Sequence, residues 1–223
     1  GGSSYTALLA IFGAPHQVIP TTSLTMNLIV TFVGMIQFWK KGHGRLGLII
    51  PFLLPSIPMT FLGGSIDVSE FYFKIFLLMT LILVAVRIYI INDLTISIRL
   101  SRPQRWVFIF SLGSVLGFVA GVVGIGGGIY LVPLIIMFGL GTEKEAAAAG
   151  TMFIWINSMV GLMSRVSLGG LDLQFVLPLA GAVFLGGLGG SYLGVVKFKP
   201  KTIQKVMGGV ILIAIIFLLK GIL

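Results

Sequence analysis

Long apolar runs separated by short polar breaks set the plan of the chain. The runs cover residues 1–13, 18–39, 46–64, 71–91, 106–139, 146–165, 173–194 and 203–222. Most reach the ~18–22 residues that an α-helix needs to cross a ~30 Å hydrocarbon core. The breaks are charged or turn-rich: KKGHGR (40–45), an acidic stretch with Asp67 and Glu70, NDLTISIRLSRPQR (92–105), and a stretch with Lys197, Lys199, Lys201 and Lys205. The run from Trp106 to Gly139 has 34 residues and no charge. As one helix it would extend about 50 Å, too far for a single crossing. GIGGG (124–128) lies in its middle and divides it into 106–123 and 127–139. The second piece is too short for a full crossing and suits a half-helix in a re-entrant hairpin. The pattern predicts an all-α, polytopic transmembrane helical bundle with Gly-broken or re-entrant helices.

Composition sharpens this reading. Of the 223 residues, 57% are hydrophobic and 9% charged, with a mean hydropathy of +1.12. A soluble domain carries about 25% charged residues, so this chain lacks the polar shell of a soluble enzyme, a nucleic-acid reader or a secreted disulfide scaffold. Cysteine is absent, which excludes disulfides and thiolate metal sites. The net charge of +9 fits the excess of Lys and Arg in the cytoplasmic loops of membrane proteins. The expected partner is therefore the lipid bilayer, with no nucleic acid, and the expected location a multi-pass place in the cytoplasmic membrane. The opening GGSSYTALLAIFG has neither the basic region nor the cleavage site of a signal peptide.

The chain also matches itself at a constant offset of 126 positions. Gly1-Gly2 pair with Gly127-Gly128, Phe12-Gly13 with Phe138-Gly139, Thr25-Met26 with Thr151-Met152, and Leu62–Ser65 with Leu188–Ser191. The clustered Gly, Thr and GGS matches are hard to obtain by chance, whereas Leu matches mean little. This divides the chain into a first repeat, 1–97, and a second, 98–223. Nothing in the first repeat corresponds to 106–123, so its opening helix is expected to be missing by truncation. If 106–139 passes twice, eleven Lys and Arg fall on one side and three on the other, with Arg87 left out. A single pass splits them nearly evenly, so charge bias favours two passes. Each repeat then has an odd number of segments, and the repeats are inverted. Inverted repeats are a recurrent plan of secondary transporters, with the site between them near the midplane.

The candidate chemistry is that of neutral donors. In GVVGIGGGIYLVP (121–133), Gly126, Gly127 and Gly128 expose backbone N–H groups at the start of a helix, where the dipole is positive. That is an anion cradle, or else close packing through small residues. The first repeat offers Gly1, Gly2 and Ser3 at the equivalent place. Thr151, Asn157 and Ser158 are the polar residues of 146–165, and Thr22, Thr25 and Asn27 mirror them in 18–39. Neutral donors on facing helices suit an oxyanion that must bind and leave; hydrogen bonding between helices is the competing use. GGLGGS (186–191) and LGGS (62–65) read as packing, and Pro51, Pro55 and Pro58 as kinks. All six carboxylates, Asp67, Glu70, Asp93, Glu143, Glu145 and Asp172, lie in or near loops, away from the mid-helix positions that proton and cation relays use. His16 and His43 are also at loop positions, and Arg87 either snorkels or attracts an anion. No HExxH, Walker A or His/carboxylate cluster is present. The expectation is a protein that is not an enzyme and needs no cofactor or metal.

At these residues the sequence resembles the TauE/SafE sulfite-exporter family, also called TSUP. GVVGIGGGIYLVPLIIMFGL (121–140), the Ala-rich entry to the next helix with Gly150, Thr151 and Ser158, and LGGLDLQFVLPLAGAVFLGGLGGSYLG (168–194) carry the resemblance. Met152 stands where the family's Ala-Gly-Thr-Ser cluster has Ser. The resemblance implies a secondary transporter of small anions, sulfite or related sulfur oxyanions and sulfonates. Readings that stay open are a transporter of small carboxylates, a non-transporting membrane subunit or scaffold, and assembly as a homo-oligomer. An anion leaving a negative cell interior gains ~2.3 kcal/mol per charge per 100 mV, so export needs no carboxylate relay.

Overall fold

The computed structural model describes residues 2–90, 102–166, 173–196 and 200–220. Gly1, Asp93, Arg99, Asp172, Lys197, Lys199, the side chain of Arg87 and the packing of GGLGGS lie outside the described residues. The described residues form helices α1 (Gly2–Ile11), α2 (Val18–Lys40), α3 (Leu46–Ser65), α4 (Glu70–Tyr89), α5 (Arg102–Val123), α6 (Gly128–Met137), α7 (Glu143–Val166), α8 (Leu173–Val196) and α9 (Pro200–Lys220). Each apolar run becomes a helix, and the 106–139 run breaks at the glycines as its length requires. Among the described residues, α2, α3, α5 and α7 are long and apolar enough to cross a membrane. α1 and α6 have 10 residues each, about 15 Å, half of the hydrocarbon thickness. The chain is a multi-pass membrane protein. Its outward apolar side chains, such as Leu54, Phe61, Leu83, Val107 and Phe217, are exposed in the isolated chain, as a lipid-facing surface requires.

Glycines fix how the long helices pack. Gly113, Gly117 and Gly121, spaced by four, form one stripe on α5. A Cβ at Gly113 would lie 2.5 Å from Phe52 O, and Cβ atoms at Gly117 and Gly121 would collide with Ser56 O and Thr60 O. The backbones of α3 and α5 therefore touch, and because 113, 117 and 121 meet 52, 56 and 60 in order, the two helices run parallel. Ser56 and Thr60 both reach Asn157 on α7, and Gly64 lies beside Gly161 and Ser164, so α7 runs parallel to them too. α2 runs the other way. Gly34 approaches Thr151, and Gly161 approaches Leu24.

α7 opens with a capping box. Thr142 N–H donates to Glu145 Oε2 at 2.8 Å, and Glu145 N–H donates back to Thr142 Oγ1 at 3.3 Å. Glu145 also pairs with Arg45 at 3.5 Å. This end of the bundle thus gathers the 40–45 loop and the starts of α3, α5 and α7. His16, Asp67 and Arg165 lie at the opposite end.

The hairpin of α5 and α6 turns back at Gly124–Gly127, and the rings of Phe108 and Phe138 meet at 4.4 Å between centroids, so the end of α6 is level with the start of α5. α6 sits in a core with Phe52, Leu116, Leu131, Ile135 and Phe153. α1 sits in a second core with Leu77, Leu81, Val84, Val123 and Ile211. α6 begins and ends 126 positions after α1, and Gly13 and Gly139, which follow them, are both left-handed, with φ of 70° and 59°.

Candidate functional site

The glycine break is buried and left-handed. Gly124, Gly126 and Gly127 have φ of 80°, 80° and 68°, a region that L side chains enter at a cost of about 1–2 kcal/mol. The surroundings are as restrictive as the backbone. A Cβ on Gly124 would lie 2.6 Å from Pro20 Cα, one on Gly126 2.7 Å from Ile154 Cγ2, and one on Gly128 2.5 Å from Ile154 Cγ1. Gly127 caps α6 and packs against Phe153 and Leu116. Close packing is therefore one use of these glycines. The other is exposure of donors: the N–H groups of Gly126, Gly127 and Ile129 donate to no carbonyl or side chain among the described residues.

Asn27, midway along α2, is where the two short helices meet. Its Nδ2 donates to Gly124 O at 3.3 Å. A Cβ on Gly2 would lie 2.5 Å from Ile125 O and 2.9 Å from Asn27 Nδ2, and one on Gly126 3.2 Å from the same nitrogen. The first turn of α1 and the glycine break that precedes α6 thus converge on one amide. Thr6 Oγ1, one turn further along α1, donates to Gly2 O at 2.7 Å and lies 3.1 Å from Ser23 Oγ, tying α1 to the same face of α2.

Among the described residues, four buried hydroxyls have no hydrogen-bond partner: Ser3, Ser4, Thr22 and Ser158. Ser3 is next to Gly2. Ser158 is one helical turn from Ile154, which touches Gly126 and Gly128. The α2–α7 register set by Gly34–Thr151 and Leu24–Gly161 places Ser158 level with Asn27. An unpaired buried polar group costs about 1–3 kcal/mol, and such groups in a native interior call for a reason.

Asn157, Thr25 and Thr151 have hydrogen-bond partners within the protein. Asn157 accepts from Ser56 Oγ at 3.0 Å and Thr60 Oγ1 at 2.6 Å through Oδ1, and donates from Nδ2 to Phe153 O at 2.9 Å. It is glue between α3 and α7. Thr25 and Thr151 bond back to Thr21 O at 2.9 Å and Ala148 O at 2.8 Å. The two threonines do not meet: Thr151 faces Gly34, nine residues or about 13 Å along α2 from Thr25. Their equivalence in the sequence does not make them neighbours, because antiparallel helices bring together positions at a constant sum, not a constant offset. Sequence reasoning did not single out Ser56 and Thr60, hidden in the proline-rich helix, although their i, i+4 spacing was visible. Nor did it single out Arg165, the last residue of the 146–165 run.

Among the described residues no group of three or more His, Asp or Glu is arranged to hold a metal ion. The family model described as "Sulfite exporter TauE/SafE" matches residues 1–218. The chain belongs to this family. Relatives with similar sequences carry transporter names. One is "Probable membrane transporter protein y4hK" of Sinorhizobium fredii (strain NBRC 101917 / NGR234), 32% identical over 167 residues, which are 73% of this chain and 67% of the relative. Another is "Probable membrane transporter protein YjnA" of Bacillus subtilis (strain 168), 25% identical over 232 aligned positions, 96% of this chain and 89% of the relative. No solved structure matches the chain. With its family, its relatives and its apolar helices taken together, this TauE/SafE protein is a membrane transporter.

Proposed function

We propose that the protein is a secondary transporter of small anions, sulfite or related sulfur oxyanions and sulfonates, across the cell membrane. The observation that carries the reading is the set of unused donors around Asn27: the N–H groups that open α6, and the hydroxyls of Ser3 and Ser158. Donors without acceptors are complementary to a ligand made of acceptors. The positive end of the α6 dipole adds to their attraction for negative charge. The family description names sulfite, and a pyramidal oxyanion presents three oxygens to such a set. In this reading the site lies between two inverted repeats, 1–97 and 98–223. Two features support the inversion. α1 and α6 are bounded at the same offset, and α2 runs antiparallel to its equivalent α7. Two equivalent helices that pack antiparallel are related by an axis lying in the membrane plane.

The experiment is anion flux in proteoliposomes of the full chain with an imposed potential. Sulfite should move faster than in protein-free vesicles. Ser158→Ala should weaken its affinity by roughly 10- to 150-fold, the value of one hydrogen bond to a charged ligand. Wild-type affinity in that variant would remove the site, and flux of short carboxylates without flux of sulfite would change the substrate class.

A further inference from the structure

A cavity of about 210 Å³ opens at the end of the bundle away from Arg45 and Glu145. Its walls include His16, Gln17, Thr21, Asp67, Val122 and Arg165. Arg165 is anchored on its inner side: Nε donates to Gly121 O at 3.2 Å, and Nη2 donates to Gly121 O and Val122 O, both at 2.8 Å. Those carbonyls belong to the last turn of α5, directly before the glycine break. Nη1 makes no hydrogen bond among the described residues, and Asp67, exposed on the rim, makes no salt bridge with the guanidinium. Glu70 and Lys74, on the neighbouring cavity that shares His16 and Gln17, are paired with each other at 2.7 Å. A fixed, half-buried cation with donor capacity to spare therefore borders a space lined by polar and apolar side chains, Phe73 and Val68 among the latter, with room for roughly seven waters at ~30 Å³ each.

We propose that this cavity is an outer binding site for a small oxyanion, with Arg165 as its cation, distinct from the donors around Asn27. The inference rests on the anion-transport reading and adds a second station to it. Thr21 lines the cavity and lies six residues, about 9 Å along α2, from Asn27. An anion at Arg165 is thus one short step from the opening of α6. The planar guanidinium keeps two of its nitrogens on the α5 carbonyls and offers the third outward, which suits an oxygen of sulfite or of a short sulfonate. Asp67 competes with the ligand for the same cation, so the site holds an anion weakly enough to release it.

The test is binding of radiolabelled sulfite to the purified full chain in detergent, together with flux measured separately from each face of proteoliposomes. Arg165→Gln should raise KM at least tenfold for sulfite presented at the Asp67 end and leave KM from the opposite end within about twofold of wild type, while its melting temperature falls with the bonds lost to Gly121 O and Val122 O. Asp67→Asn, at an exposed position, should act in the opposite direction and tighten sulfite binding severalfold. Ser158→Ala should still bind sulfite through the Arg165 cavity even where flux is lost, which separates failure of the transport reading from failure of this one. If Arg165 serves only as a cap on α5, Arg165→Gln shows no face-specific change in KM, and Asp67→Asn binds sulfite as wild type does. Either result overturns the proposal, and where Arg165→Gln does not fold, Asp67→Asn alone decides.

Discussion

Each glycine of the break answers to a different neighbour. Gly124 is held by Pro20, Gly126 by Ile154 and Asn27, and Gly127 by Phe153 and Leu116. The stretch GIGGG in a charge-free run was legible as a break, because neither a helix nor an exposed loop accounts for three glycines at membrane depth. Which donors stay free was not legible. Asn157 looks as available as Asn27 in the sequence, yet its Oδ1 accepts from Ser56 and Thr60, partners set by how α3 meets α7, and its Nδ2 donates to Phe153 O within α7. Gly126→Ala must adopt a left-handed φ and also push Ile154 aside. Together these should destabilise the protein by about 2–4 kcal/mol and abolish flux. Gly13→Ala is strained by its φ of 70° but meets no atom within 4 Å, so it should lose only about 1–2 kcal/mol. Thermal melting of the two purified variants measures the difference, and equal losses would mean that the break tolerates side chains.

At the scale of the helix, the ends were readable because charge marks them. The 143–145 carboxylates begin α7 and the 40–45 bases end α2, as dipole and capping preferences require. The parallel contact of α3 with α5 was less readable, since a stripe of glycines four apart says that something approaches closely without naming it. In the structure the partner is the proline-bearing α3, whose Ser56 and Thr60 carbonyls lie against Gly117 and Gly121, and Thr60 Oγ1, which donates to Asn157 Oδ1, lies 2.9 Å from Gly117 O. A side chain at Gly117 would wedge the two backbones apart and disturb both the Thr60 bond and the turn that Arg165 holds. Gly117→Leu should therefore lower stability by about 1–3 kcal/mol or more and reduce flux, whereas Leu at Gly181, which meets no atom within 4 Å, should be close to neutral. A variant at 117 that melts and transports like wild type would show that α3 and α5 do not bear on each other.

For the whole molecule, the parallel run of α3, α5 and α7 decides where the charge lies. Lys40, Lys41, Arg45, Arg105 and Lys144 come to one end, while Lys74, Arg165 and Lys220 fall at the other, since α9 runs antiparallel to α4 through Tyr89–Gly208 and the shared wall of Leu77 and Leu218. The bias of Lys and Arg toward the inner face then makes the first end cytoplasmic and turns His16, Asp67 and Arg165 outward. On that orientation, the proposed transport by export would take an anion in at the basic end, where the charge excess raises its local concentration, and pass it over the donors around Asn27 and out by the cavity at Arg165. An inside-negative potential drives that direction with ~2.3 kcal/mol per charge per 100 mV. Single-cysteine variants in the cysteine-free chain test the orientation. A cysteine at Lys41 or at Lys199 should react with an impermeant maleimide only after the membrane is opened, and one at Asp67 should react in intact cells. Labelling of Lys41 and Lys199 from opposite faces would break the inverted repeat, since a single pass through 106–139 is what separates those two loops. Labelling of Asp67 from inside alone would reverse the orientation and make the Arg165 cavity the anion's point of entry.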